Sequence, residues 1–449
     1  MKRLSSSTPF NAPELVYNLA MLDITYIRAN AATLKTAISN KQLNSSIVDE
    51  VLFKDEERRK LIGQVEDLRK HINENTQAIK NSATKRPTAE QLQLGRELKS
   101  KLQDIEPHLK QVEETFQDLM YQVANPPASD VPVGKNEAEN QIIRQVGQPI
   151  KLGFEPKDHE TLLLENDLLD MKRAVRIAGF RAYFLKNEAV LLEQALLQYA
   201  LKKLIAEGFT PMTVPWMVNK EAMWGTGYFP WGIEDHYTTQ DGQCLIGTAE
   251  VSLTAYHQDE VLNEKDLPYK MVGISPCFRR EVGTYGKDVH GIIRVHQFTK
   301  VEQVVYTTAD EGVTREWHQK MVGYAEGLLQ ELELPYQVLL MCTGDMGAGQ
   351  RKKYDINTWF PAQQKYRETH SASYFNDFQA RRLNIKYRAK DGSLKYVYTL
   401  NNTMAASPRL LAAVIENYQN EDGSIKIPKV LQEFMQKTVI SHPSHASSS

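Results

Sequence analysis

Three short stretches carry residues whose types could do chemistry together. Phe278-Arg279-Arg280-Glu281 sets two guanidinium groups beside a carboxylate, and Arg294-Val-His-Gln-Phe298 and Lys300-Val-Glu302 follow on a β-branched, aromatic run. Further along stand Glu368 in YRETH and Arg409 in NNTMAASPR. Cationic side chains can neutralise charge as it develops on a phosphate or carboxylate, and a carboxylate can hold a divalent cation. Singly, each has a duller reading. Arg279 and Arg280 could be strand surface charges, Phe298 core, Glu302 solvated, and Glu368 a structural ion-pair partner. No GxxxxGKS or GxxxxGKT occurs, and the Gly-rich GTGYFPWG and CTGDMGAG lack the strand–glycine–helix context of a nucleotide fingerprint.

The elements that must position these residues alternate irregularly. Tyr269–Arg280 and Ile292–Thr307 predict two strands, with EVGTYGKDVHG as a long hairpin loop between them. Thr308-Ala-Asp-Glu311 reads as a capping box for a helix whose buried stripe would be Val313, Trp317, Met321, Tyr324 and Leu328. Val338–Met341 and Leu394–Leu400 predict further strands; Glu188–Glu207 and Leu410–Tyr418 predict helices. Hairpins without regular βαβ alternation argue for an α+β fold, an antiparallel sheet flanked by helices.

Ahead of this lies a different kind of chain. Leu98, Leu102, Ile105, Leu109, Val112, Phe116, Leu119 and Val123 keep a heptad seam, matched by Leu61, Val65, Leu68, Ile72 and Ile79, with Asn75 filling a seam position. NSATKRPT between them is a turn, so the two helices form a long antiparallel hairpin over about 54–123; Pro107 marks a kink. Its charges are sorted. Arg69, Lys70, Lys80, Lys85, Arg86, Arg96, Lys99 and Lys101 face three acidic residues in the distal half, whereas the proximal half has five basic residues against ten acidic. A basic tip suits a phosphate backbone, yet the charges alone fit a plain protein–protein coiled coil equally well.

Length and composition bound the rest. A chain of 449 residues predicts two or three domains, and 41% hydrophobic residues supply a large core. The net charge of −2 makes any attraction for nucleic acid local. Cys244, Cys277 and Cys342 form no CxxC pair, which argues against a disulfide scaffold or a cysteine zinc site and suits a reducing cytosol. No apolar run approaches the ~18 residues of a membrane span. The expected division is a loose extension (1–20), an arm (21–128), a Pro-rich linker (129–145), a second domain (146–437) and a disordered tail (438–449).

Taken together the motifs resemble the class II aminoacyl-tRNA synthetases, and specifically the seryl-tRNA synthetase family. Thr248-Ala-Glu250 stands at the TxE motif, Phe278–Glu302 at motif 2, and Asn401-Asn-Thr403 with Arg409 at motif 3. Pro215 stands at the motif 1 proline, which belongs to the family's dimer interface. The likeness spans roughly Met21 to Met435, and a long coiled-coil arm is what the family uses to grip tRNA.

This resemblance implies activation of L-serine with ATP and Mg2+ (no zinc) and transfer of the seryl group to the 3′ end of tRNA(Ser). Selenocysteine tRNA is a further candidate partner, and a cytoplasmic homodimer is implied. By resemblance Arg279 and Arg409 are catalytic. Thr248, Glu250, Arg279, Glu302, Asn401 and Thr403 bind serine. Arg279, Glu281, Phe298, Glu368, Ser371 and Arg409 bind ATP, with magnesium on Glu368 and Ser371, and the eight distal basic residues bind tRNA. The chain departs from the common bacterial pattern at Gly247, at His370 and Tyr374, and in the NNTMAASPR form of motif 3. Two rival readings stand beside this one: a relative that charges a carrier protein, which is expected to lack the arm, and a coiled-coil binding protein with a decayed catalytic domain.

Overall fold

A computed structural model describes residues 22–82, 85–282 and 291–441. The expected extension (1–20), the tip Ala83–Thr84 of the hairpin turn and most of the 281–291 loop lie outside the described residues.

Helix α1 (Ile24–Asn40) packs at the root of a hairpin made by α2 (Ile47–Asn81) and α3 (Ala89–Tyr121). At 1.5 Å per residue each long helix reaches about 50 Å. Thr88 and Gln91 cap α3 reciprocally, which fixes where the chain turns back. The seam polar residue Asn75 donates to Gln91 O at 3.0 Å across the hairpin. Burial is concentrated at the root, where Ile27, Leu34, Ile38, Val48, Val51, Met120 and Val123 form one cluster. Helix α3 runs on through Pro107 as one undivided element. The chain leading into the expected linker (129–145), and the linker itself, are held against the core. Asn125 donates to Gly349 O and Phe375 O, Val131 is buried, and the first sheet strand has already begun at Gln141.

That sheet contains β1 (Gln141–Val146), β2 (Thr210–Thr213), β3 (Tyr269–Phe278), β4 (Gln297–Thr307), β5 (Tyr336–Leu340), β6 (Lys352–Phe360), β7 (Lys365–Asn376) and β8 (Tyr398–Ala406). The spatial order is β1-β5-β6-β7-β8-β4-β3-β2, antiparallel except for the β2–β3 pair. Helices α4 (Asn187–Ala206), α5 (Glu311–Glu331) and α6 (Ser407–Asn417) cover it and share its main core. Leu192, Leu196 and Leu204 of α4 are fully buried, each contributing about 1.5–3 kcal/mol.

Several local expectations need correcting. The N-cap of α5 is Asp310, whose side chain accepts from Val313 N at 3.1 Å; Thr308 lies outside the helix. Its buried face runs through Thr314, His318, Met321, Val322, Ala325, Leu328 and Leu329, while Val313 is exposed. The Ile292–Thr307 run becomes strand only from Gln297, and Leu394–Leu400 is split at Val397 between two sheets. Within the tail expected to be disordered (438–449), Val439–Ile440 adds to a small sheet with Ile425–Lys426, burying Ile440, and residues 442–449 lie outside the described residues.

Candidate active site

The site rests on which side chains the strand registers bring to one face. On β4, Phe298, Lys300 and Glu302 are two apart, so the pleat puts them on one side. Thr403 of β8 lies directly opposite Glu302, and Glu302 lies opposite Gly273 of β3. A Cβ on Gly273 would come within 3.1 Å of Ala249 Cβ and Leu253 Cδ1. The missing side chain thus lets the Thr248-Ala-Glu250 segment settle onto the sheet beside Glu302.

Glu368 and Ser371 are three apart, a spacing that a regular strand would send to opposite faces. The ladder between β6 and β7 slips by one residue at Ile356/Asn357, pairing Asn357 with Glu368 and Asp355 with Ser371. Since Asp355 and Asn357 share a face, the slip brings Glu368 and Ser371 to that same face. Pro408 in the first turn of α6 pre-sets the helical backbone and delivers Arg409 to the same region.

Arg279, Glu281, Phe298, Lys300, Glu368, Thr403 and Arg409 line one cleft. Arg279 lies 5.3 Å from the centroid of the Phe298 ring and donates from Nε to Gly247 O at 3.3 Å. Arg409 Nη1 donates to Glu368 Oε2 at 2.9 Å, and Arg294 to Glu281 Oε2 at 2.6 Å. Glu281 adopts φ +54°, the left-handed region where a non-glycine residue is held only by its surroundings.

Thr248, Glu250, Glu302 and Asn401 are all buried and do not line the cleft surface. Glu302 is tied to Lys300 at 2.5 Å and accepts from Thr403 Oγ1 at 3.4 Å. Glu250 accepts from Tyr228 OH at 2.6 Å and from Gln379 Nε2 at 2.9 Å. Burial pushes its carboxyl above the ordinary range, against those two hydrogen bonds. Ser371 shares the face but is not at the cleft surface.

Sequence reasoning assigned no role to Lys300, Lys353, Asp355, Tyr228 or Gln379. The period-two pattern of β4 could have drawn in Lys300; the others meet the site only through long-range packing. Lys353 Nζ lies 2.9 Å from Asp355 Oδ2. Burial would raise the Glu368 carboxyl, but Arg409 and Lys353 beside it hold it well below the usual range. Burial and the charge of Glu368 push Asp355 the other way, against the pull of Lys353.

The comparisons with known proteins match this arrangement at both ends of the chain. The seryl-tRNA synthetase N-terminal domain family matches residues 21–127, and the tRNA synthetase class II core domain (G, H, P, S and T) matches 234–418. The serine–tRNA ligase of Deinococcus radiodurans is 41% identical over 92% of this chain and 97% of its own. That of Fervidobacterium nodosum is 41% identical over 94% of this chain and 99% of its own. The chain belongs to the seryl-tRNA synthetase family.

Solved structures agree. Seryl-tRNA synthetase from Pyrococcus horikoshii, complexed with ATP, superposes with a TM-score of 0.88 at 40% identity, covering 94% of this chain and all of that one. The cytoplasmic serine–tRNA ligase of Naegleria fowleri, in complex with AMP, gives 0.84 at 30% identity, covering 94% and 99%. The family's antiparallel sheet and helical arm are thus both present here, and the eight distal basic residues of the arm are all exposed.

Proposed function

We infer that the chain is a serine–tRNA ligase: it activates L-serine with ATP and passes the seryl group to the 3′ end of tRNA(Ser). The observation that carries this reading is the convergence of Arg279, Phe298, Glu368 and Arg409 on one cleft, with Thr403 and Lys300 at its inner side. Phe298 offers a flat face for adenine, and Arg409 opposes the triphosphate. Glu281, anchored by Arg294, accepts from the adenine amino group. Arg279 neutralises charge as the serine carboxylate attacks the α-phosphorus and pyrophosphate leaves. The tRNA ribose hydroxyl then attacks the acyl carbon and AMP departs. No protein nucleophile is needed, because both steps are set by position and charge.

Glu250 and Thr248 hold the serine ammonium group, Asn401 supports the pocket wall, and Glu302 with Thr403 reads the hydroxyl. Glu368, with Ser371 on the same face, would hold magnesium. Asp355 Oδ1, buried and lacking a hydrogen-bond partner, fits a cation there. Among the described residues no cluster of three or more His, Cys, Asp or Glu forms a metal cage, which suits an ion completed by substrate phosphates. When bound, the ion supplies charge neutralisation on the leaving pyrophosphate.

The basic tip of the arm supports tRNA as the acceptor rather than a carrier protein, with selenocysteine tRNA a second candidate acceptor. A homodimer is supported by the exposed Ile177, Phe180 and Phe184, which lie on or beside an apolar cavity also lined by Leu185, Leu245 and Phe278. Among the described residues no helix is long and apolar enough to cross a membrane, and we place the enzyme in the cytoplasm with its tRNA. Serine-dependent ATP–pyrophosphate exchange tests the reading, followed by charging of tRNA(Ser). Exchange driven by another amino acid and not by serine would overturn it.

A further inference from the structure

The joint between the arm and the catalytic domain holds two buried cations. Lys41, at the end of α1, is 3% exposed and donates to Gly347 O, Ala348 O and Gln350 O at 3.1, 3.0 and 2.5 Å. Arg382 of the catalytic domain is 2% exposed and donates to Tyr121 O, at the last residue of α3, at 2.9 Å. A cation suits that position, because carbonyls at a helix C-terminus carry partial negative charge. Neither cation pairs with a carboxylate among the described residues. Each domain thus sends one cation into backbone carbonyls of the other.

Arg382 does more than hold the arm. Its second nitrogen donates to Trp224 O at 3.1 Å, and its guanidinium stacks 4.0 Å from the Phe378 ring. The Tyr121 ring lies 5.1 Å from that of Trp224, so the arm touches the same segment. One turn back on the Phe378–Arg382 helix, Gln379 donates to Thr226 O and to Glu250 Oε1. Thr399 fixes Gln379 by donating to its Oε1 at 2.6 Å. Two residues beyond Thr226, Tyr228 donates to the other oxygen of Glu250. Both oxygens of Glu250 are therefore held by neighbours of the Arg382 contacts: Gln379 lies three residues before Arg382 on the same short helix, and Tyr228 four residues after Trp224, whose carbonyl accepts from Arg382.

We propose that Arg382 is a positioning residue that mounts the root of the arm and the carboxylate of Glu250 on one short helix, so that a single side chain sets both the arm and the amino-acid pocket. The proposal rests on the reading of Glu250 as the partner of the serine ammonium. Lys41 is the one-sided counterpart, anchoring the arm alone.

The test compares Arg382→Met, Arg382→Lys, Gln379→Leu, Lys41→Met and the Arg382→Met/Gln379→Leu double variant in the full chain. Pyrophosphate exchange without tRNA and charging of tRNA(Ser) are measured, with thermal melting to certify folding. Arg382→Met raises KM for serine about tenfold while KM for ATP stays within about twofold, and Arg382→Lys recovers part of the loss. The double variant is no worse than Gln379→Leu alone, because Arg382 acts through Gln379. Lys41→Met leaves the KM for serine in place and raises only that for tRNA. A folded Arg382→Met with wild-type KM for serine, or one whose KM for ATP rises equally, overturns the proposal. Wild-type protein that shows no serine-dependent exchange at all overturns the underlying functional reading instead.

Discussion

Lys300 Nζ stands 2.5 Å from Glu302 Oε2, both side chains buried on one face of β4. The same ammonium reaches Thr403 Oγ1 at 3.5 Å, and Thr403 lies 3.4 Å from Glu302. These last two are long for hydrogen bonds to a hydroxyl. The pair supplies a fixed internal dipole, and the Thr403 hydroxyl has only long contacts to it.

Selectivity follows from that arrangement. Alanine entering this pocket leaves buried polar groups unpaired and should be rejected by ~10⁴ in kcat/KM. Thr403→Val removes one of those groups, so serine-over-alanine discrimination should shrink by about 1–3 kcal/mol, whereas Thr403→Ser should stay near wild type. Pyrophosphate exchange with serine and alanine for the three proteins reads this directly. Undiminished discrimination in the valine variant would assign the hydroxyl to Glu302 alone.

The Arg409–Glu368 contact bears on magnesium. Glu368→Gln keeps the shape but loses the charge, so half-maximal exchange should need markedly higher magnesium. Arg279→Ala removes a cation where charge develops and should cost at least ~10² in kcat at saturating magnesium. Wild-type magnesium dependence in the first variant and wild-type rate in the second would together displace the chemistry from this cleft.

The arm can be separated from the chemistry. Replacing residues 69–101 by a short turn removes the eight exposed basic groups, so tRNA charging should collapse while exchange persists. The salt dependence of residual tRNA binding should flatten, since fewer phosphates are neutralised. Full charging by the shortened protein would mark the hairpin as a plain coiled coil.

Acid stability should report His318. Its ring is 1% exposed, 5.0 Å from the Tyr354 ring and 5.2 Å from that of Tyr374, and burial pushes its pKa down to about 4. An unfolded histidine titrates near ~6.5, so between these values the unfolded chain binds the extra proton. This contribution is intact above ~6.5 and is lost as pH falls towards 4, amounting to about 3 kcal/mol. His318→Gln should flatten the slope of unfolding free energy against pH in that window, as followed by urea titration. An unaltered slope would mean that the histidine does not titrate there.

Much of this molecule was legible in the amino-acid order. The heptads gave away the arm, and the motif residues that converge on the cleft could be named in advance only because their order and spacing together resemble the motifs of the seryl-tRNA synthetase family; singly, each read as an ordinary surface or core residue. The rest depended on contacts that no local pattern encodes. Glu368 and Ser371 share a face only because the β6–β7 ladder slips. Tyr228 and Gln379 meet Glu250 from 22 and 129 residues away. The α5 stripe was right at Met321 and Leu328, with Trp317 and Tyr324 half-buried beside them, but it missed polar Thr314 and His318, which a helix wedged onto a sheet buries and hydrophobicity alone assigns to solvent.

The strand order also constrains when the enzyme can come into being. The earliest strands, β1 and β2, form the two edges of the sheet, and the last, β8, is its centre. On the ribosome the arm can complete early from local contacts, but the sheet must wait as two unjoined halves until residues 398–406 arrive. Until then Glu302 and Ser371 have no strand between them. A nascent chain arrested before residue 398 should therefore carry a finished grip for tRNA and no adenylating centre, and protease protection of the sheet should begin only once β8 has emerged.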